Sequence, residues 1–97
     1  MSGPQIAMRA VISGRVQGVG FRYACFREVQ RVRESAVLTG WVRNRSDGSV
    51  EVFAQGDGSA VLALLEWCKR GPKRAEIERV EEFRAEIDSK LTNFEIV

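Results

Sequence analysis

The run IAMRAVISGRVQGVGFRYACFREVQRVRE, residues 6–34, passes from one periodicity to another. Residues 6–13 are mostly apolar and bounded by Gly14, the pattern of a strand with much of its surface covered. In residues 21–34 and just beyond, Cys25, Val29, Val32 and Ala36 recur at steps of four, three and four. That is one apolar stripe on an amphipathic helix, with Arg27, Gln30, Arg31 and Glu34 turned the other way. Between strand and helix stand Gly14, Gly18 and Gly20, and Arg22 follows almost at once. Such a passage is often a tight turn and nothing more. It is also how a backbone offers amides to an anion.

The anion reading has a physical basis. The first N–H groups of a helix lack partners within it. Glycines let neighbouring amides turn inward and let an anion approach the chain closely. The helix dipole adds attraction. A cation such as Arg22 is poorly placed beside positive helix-end charge unless an anion lies between them. Its planar fork grips two phosphate oxygens at once. Neither nucleotide-loop pattern fits: no Lys-Ser or Lys-Thr follows the last glycine, and Gly18-x-Gly20 lacks a third glycine three residues on.

Downstream, Val37–Arg45 reads as a second strand with Trp41 as a large core anchor. Asp47-Gly48 signals a hairpin, and Ser49–Gln55 is the return strand, with Val50 and Val52 alternating with polar neighbours. The stretch Gly56-Asp57-Gly58 breaks it, and Asp57 or Ser59 is placed to cap a second helix bearing Val61, Leu64, Leu65 and Cys68 on one face. Gly71-Pro72 stops that helix. Residues 75–86, with Ile77, Val80 and Phe83 among charges, predict an edge strand with a bulge, because the period is imperfect. Phe94–Val97 makes a short last strand. The order β-α-β-β-α-β plus a terminal strand is that of an α+β, ferredoxin-like split β-α-β sandwich, two helices packed on one face of an antiparallel sheet.

Ninety-seven residues predict a single domain over 1–97. No apolar run approaches the roughly 18 residues needed to span a bilayer. Met1–Gln5 carry no basic region ahead of an apolar segment, so no secretory leader is expected and a cytoplasmic location is. Cys25 and Cys68 are too few for a disulfide framework and are expected as small buried hydrophobes. There is no histidine, which removes the commonest general base and the commonest transition-metal ligand. No Cys or carboxylate spacing replaces it, so neither metal nor cofactor is expected. Net charge is +2 but uneven: residues 1–48 hold eight Arg against Glu28, Glu34 and Asp47, while residues 49–97 hold seven Lys or Arg against ten acids. The first half is the better home for an anion, and the near balance of the whole is a poor nucleic-acid signal.

Asn44, near the end of the second strand, is the other candidate. Asparagine is common at turn entry. Its amide also donates and accepts without changing charge, which suits it to hold a water beside an anion loop. Arg43 and Arg45 read as solvated strand residues.

At this point Ile12-x-Gly14-x-Val16-Gln17-Gly18-Val19-x-Phe21-Arg22, followed by Gly40-Trp41-Val42-Arg43-Asn44-x-x-x-Gly48-x-Val50, resembles the two signature motifs of the acylphosphatase family. Gly71-Pro72 and the closing KLTNFEIV are similar to the family as well, so the resemblance covers nearly the whole chain. It implies metal-independent hydrolysis of the carboxyl–phosphate bond of acyl phosphates, with no phospho-enzyme. Arg22 would bind the phosphoryl group together with the backbone amides of Arg15, Val16, Gln17, Gly18, Val19, Gly20 and Phe21. Asn44 would orient the attacking water. The expected partner is a small acyl phosphate, with inorganic phosphate or sulfate as product or inhibitor, no nucleic acid, no membrane, and a monomeric chain.

One spacing departs from the family. Tyr23–Thr39, 17 residues, is about four longer than the resemblance implies, one helical turn. It predicts either a lengthened helix or a longer connection. Rival readings are a non-catalytic binding module on this fold and an RNA-binding domain. The latter would need an aromatic pair on the central strands, where Phe53 is alone if Trp41 is core. A third is a domain of a larger carbamoyl-transfer maturation protein, against which the closeness of the chain's ends to its own strands argues.

Overall fold

A computed structural model describes residues 4–97; residues 1–3 of the single domain expected over 1–97, and so most of the Met1–Gln5 stretch, lie outside the described residues. The elements are β1 (Gln5–Arg15), α1 (Phe21–Arg33), β2 (Leu38–Asn44), β3 (Val50–Asp57), α2 (Gly58–Arg70), β4 (Glu76–Ala85) and β5 (Phe94–Ile96). The sheet order is β4-β1-β3-β2-β5. The four long strands pair antiparallel, as the split β-α-β arrangement requires. The short β5 runs parallel to β2, which makes the full sheet mixed.

Strand parity decides the core. Ala10 and Ile12 of β1, Leu38 and Val42 of β2, and Val50, Val52 and Ala54 of β3 face the two helices. There they meet Phe21, Cys25 and Val29 of α1 and Ala60, Val61, Leu64, Leu65 and Cys68 of α2, all buried. Phe21 sets its ring edge-to-face against Trp67, with centroids 5.5 Å apart. Both cysteines are free and buried, as expected of small core residues. A side-chain hydrogen bond with Cys68, reinforced by burial, pushes the Cys25 thiol up.

Trp41 corrects the sequence expectation. It stands between Gly40 and Val42, so parity turns it away from the helices. It lies half-buried on the open sheet face, stacked on Phe53 with centroids 5.8 Å apart. The neighbourhood is closed by charge. Glu51, only 4% exposed, accepts from Arg43 Nε at 2.8 Å and Arg9 Nη1 at 2.9 Å. Arg43 lies over the Trp41 ring and Arg9 over Phe83. Arg43 is exposed, as expected of a solvated strand residue, and is ion-paired to Glu51 as well. Burial works to raise the Glu51 carboxyl, but the two guanidinium groups prevail and hold it below the ordinary range.

The expected bulge lies in β4 at Glu78. Ser13 pairs with Arg79, yet Gly14 pairs with Ile77. The extra residue is why Ile77 and Val80, three apart, both pack against the core. Opposite the bulge, Gly14 sits at φ +127°, and a Cβ there would run into the Glu76 carbonyl and the Glu78 amide. Glycine at this place lets β1 continue to Arg15 rather than stop at residue 13.

Two boundaries move for tertiary reasons. β3 continues through Gly56 to Asp57 instead of breaking at Gln55, because the Asp57 N–H donates to Val37 at 2.9 Å. Asp57 is then the residue before α2, but its carboxylate caps no helix: it accepts from the Val37 N–H at 2.9 Å. The long Tyr23–Thr39 spacing resolves as a 13-residue helix with a tight end, where Glu34 and Ser35 donate to Arg31 and Val32, and a short link to Leu38.

Candidate functional site

Val16, Val19 and Phe21 are buried, while Arg15, Gly18 and Gly20 are exposed. The loop between β1 and α1 is therefore pinned by three apolar side chains and keeps its glycines at the surface. Gly18 and Gly20 take φ +74° and +79°, and the space around their Cα atoms is open. Gly20 is the residue before α1, with no side-chain cap, and the helix has no acidic residue in its first turn. Its leading N–H groups are thus left for something other than the chain itself, the condition that favours an anion.

A cavity of about 200 Å³ opens there, lined by Val16, Gly18, Gly20, Phe21, Arg22, Tyr23, Asn44 and Ile96. Arg22 and Asn44, 22 residues apart in the chain, share its wall. Arg22 sits in the first turn of α1 and Asn44 ends β2, opposite Val50. Among the described residues no Asp or Glu side chain lies within ion-pair distance of Arg22. Its Nη1 donates to the Val97 carbonyl at 3.4 Å, a long bond that is readily exchanged.

Three of the expected loop residues lie off this wall. Arg15 ends β1 at the surface, Val19 is buried in the core, and Gln17 sends its side chain elsewhere. Gln17 Nε2 donates to the carbonyl of Arg45 at 2.7 Å and to that of Ser49 at 2.9 Å. These are the two ends of the β2–β3 hairpin, which Arg45 N–H closes on Ser49 at 2.8 Å. Asp47 stiffens the same turn by accepting from the Ser49 N–H and hydroxyl, and those hydrogen bonds hold its carboxyl low. Sequence reasoning counted Gln17 for its backbone amide alone. Its side-chain tie and the rim positions of Tyr23 and Ile96 have no local signal.

No group of three or more His, Cys, Asp or Glu side chains among the described residues is arranged to hold a metal. What the site can do is bind a compact anion through amides and a guanidinium, and present a neutral amide to a neighbouring water.

The acylphosphatase family model matches residues 8–96. An acylphosphatase of Acaryochloris marina is 47% identical over 87 residues, covering 82% of this chain and 89% of that protein. Among solved structures, an acylphosphatase from Coxiella burnetii superposes with a TM-score of 0.86 at 30% identity, covering 96% of this chain and 93% of that one. An acylphosphatase from Bacillus subtilis gives 0.85 at 34% identity, covering 95% and 98%.

Proposed function

The chain belongs to the acylphosphatase family of acid-anhydride hydrolases, and on that premise we propose that it hydrolyses small acyl phosphates to a carboxylate and inorganic phosphate without a metal. The observation that carries this reading is the meeting of an uncapped helix N-terminus, Arg22 and Asn44 around one cavity.

In the proposed reaction, amides of the Arg15–Phe21 loop, four of whose residues line the cavity, and the α1 dipole take the phosphoryl oxygens, and Arg22 leaves Val97 to grip two of them. Phosphoryl transfer depends mainly on positioning and on stabilising charge on the equatorial oxygens. One preorganised donor is worth about 3–4 kcal/mol in the transition state. The Asn44 amide holds a water in line with the bond to be broken. A new P–O bond forms to that water as the bond to the acyl oxygen breaks. The carboxylate leaves with the bonding pair, and a phosphoryl oxygen takes the water's proton. A carboxylate needs little acid assistance to leave, which suits a site without histidine.

No helix of the described residues is long and apolar enough to cross a membrane. The proposal sets the enzyme in the cytoplasm as a monomer, with inorganic phosphate or sulfate as competing anions and no nucleic-acid partner. On the open face Phe53 is only 8% exposed and Arg43 covers Trp41, which supports that last reading.

The test is phosphate release from acetyl and benzoyl phosphate in the presence of EDTA, with p-nitrophenyl phosphate as a monoester control. Acyl phosphates should turn over undiminished by the chelator, and the monoester at least about a hundredfold more slowly. Loss of activity with EDTA, or equal rates on the monoester, would overturn the reading.

A further inference from the structure

β5 is three residues long and lies at the edge of the sheet, paired on one side only. It nevertheless supplies Ile96 to the cavity wall and leads into the Val97 carbonyl that receives Arg22 Nη1. So short a strand does not hold its place by pairing alone. Buried Phe94 fixes its start, but residues 86–93 before it are mostly exposed and belong to neither helix nor strand. One side chain ties that segment down. Gln55 lies buried in β3, the middle strand of the sheet. Its Oε1 accepts from the Asp88 N–H at 2.7 Å, and its Nε2 donates to the Asp88 carbonyl at 2.8 Å. The amide thus pairs with both backbone groups of one residue, as a neighbouring strand would. Nε2 also donates to the Thr39 hydroxyl of β2 at 3.1 Å. Beyond Asp88 the chain turns tightly, with the Leu91 N–H donating back to the Asp88 carbonyl at 3.2 Å. The Asn93 carbonyl then accepts from the Gly40 N–H at 3.0 Å, where β5 begins.

We infer that Gln55 is a positioning residue for the proposed reaction: by fixing Asp88 it sets residues 86–93 and β5, and so holds the Val97 carbonyl where it keeps the Arg22 guanidinium at the cavity. The inference rests on the acylphosphatase reading. An arginine side chain has many rotamers, and ordering it on an anion weakens binding. The hold of Val97 on Arg22 removes part of that cost before substrate arrives. At 3.4 Å the bond is long enough to yield when a phosphoryl group enters. The gain is the same in the ground state and the transition state, so it enters KM and not kcat.

Steady-state kinetics on acetyl and benzoyl phosphate, inhibition by inorganic phosphate, and peptide-level hydrogen exchange test it in the wild-type chain and in variants. Gln55→Met removes the amide at nearly constant length. Asp88 is exposed, so its freed backbone groups turn to water and the variant folds. Gln55→Asn, a methylene too short to reach Asp88, is a second route that keeps a polar group in place. In both, KM for each substrate and the inhibition constant of phosphate should rise together about fivefold, with kcat within about twofold. Exchange of residues 94–97 should accelerate. Asp88→Asn alters the charge but leaves the backbone partners, and should match wild type throughout. A folded Gln55 variant with wild-type KM, or a fall in kcat alone, overturns the inference and leaves the hydrolase reading intact. So does faster exchange that stops short of Phe94, or an equal KM shift in Asp88→Asn. A wild-type chain inert on both substrates overturns the hydrolase reading and, with it, any part of Gln55 in turnover.

Discussion

The side-chain amide of Gln17 donates to the carbonyl of Arg45 at 2.7 Å, the residue immediately after Asn44. The loop that would hold the phosphoryl group is thereby bolted to the hairpin that would hold the water, and a second bond to Ser49 fixes the angle between them. Distance between two parts on different elements is otherwise set only by core packing.

Gln17→Leu tests that bolt. It leaves the Arg45 and Ser49 carbonyls without their side-chain donor in a half-buried place, a loss of about 1–3 kcal/mol. The thermal midpoint should fall by about 4–24 °C. In the folded protein below that midpoint, turnover should fall about tenfold, since a small misplacement of water against phosphate is costly. A folded variant with wild-type turnover would reduce Gln17 to a purely structural role.

Arg22→Ala should weaken inhibition by inorganic phosphate and lower kcat/KM by at least about a thousandfold, as removal of a bidentate charged donor predicts. Arg22→Lys should recover little, because an ammonium lacks the fork. Activity of Arg22→Ala within threefold of wild type would rule out the assignment.

Asn44→Ala should separate binding from chemistry. Inhibition by phosphate should stay within about threefold while kcat falls about a hundredfold or more. The reverse pattern, weak phosphate binding with intact turnover, would exchange the roles given to the loop and the hairpin.

Gly14→Ala and Gly18→Ala should differ sharply although both put a methyl at positive φ. At Gly18 the surroundings are open and the cost is the backbone conformation alone, about 1–2 kcal/mol. At Gly14 the methyl also meets the β4 backbone at the Glu78 bulge, and the loss should exceed that of Gly18→Ala by at least about 2 kcal/mol. Denaturant midpoints compare the two. Equal losses would mean that the bulge yields.

Glu51 predicts an acid limb. Its carboxyl is held below the ordinary range, so its contribution is present above the unfolded value of about 4.3 and is lost as pH falls through the folded value. Glu51→Gln should be less stable than wild type at pH 7, and the two stabilities should approach each other as pH drops below about 4. A constant difference from pH 7 to pH 3 would show that Arg9 and Arg43 do not act through the charge.

The element order could be read from the chain because each element carries its own period: the apolar run 6–13, the Cys25–Val29–Val32 stripe, the Asp47-Gly48 turn. The bulge at Glu78 was legible for the same reason, as a break in period. Trp41 was misread because its size spoke louder than its parity between Gly40 and Val42. Asp57 has a strong local capping signal, but its Oδ2 accepts from the Val37 N–H, 20 residues away, and its Oδ1 lies buried without a partner, so neither oxygen caps the helix. Arg22 and Asn44 stood out as candidates by residue type and by the family resemblance, and the fold sets both on one cavity wall. Gln17's reach to Arg45 and Ile96's place beside Tyr23 depend on packing between elements, which no short window of sequence encodes.

β5 lies parallel against β2, with Phe94 beside Gly40, Ile96 beside Val42 and the Val97 N–H bonded to the Val42 carbonyl at 2.9 Å. Residues 94–97 therefore supply part of the cavity wall and the resting partner of Arg22. A nascent polypeptide that has left the ribosome only as far as Asn93 carries both signature stretches yet has no finished pocket. Translation must run on past Phe94 before the β1–α1 loop acquires the far wall of its cavity, so stalled or prematurely terminated products lack that wall.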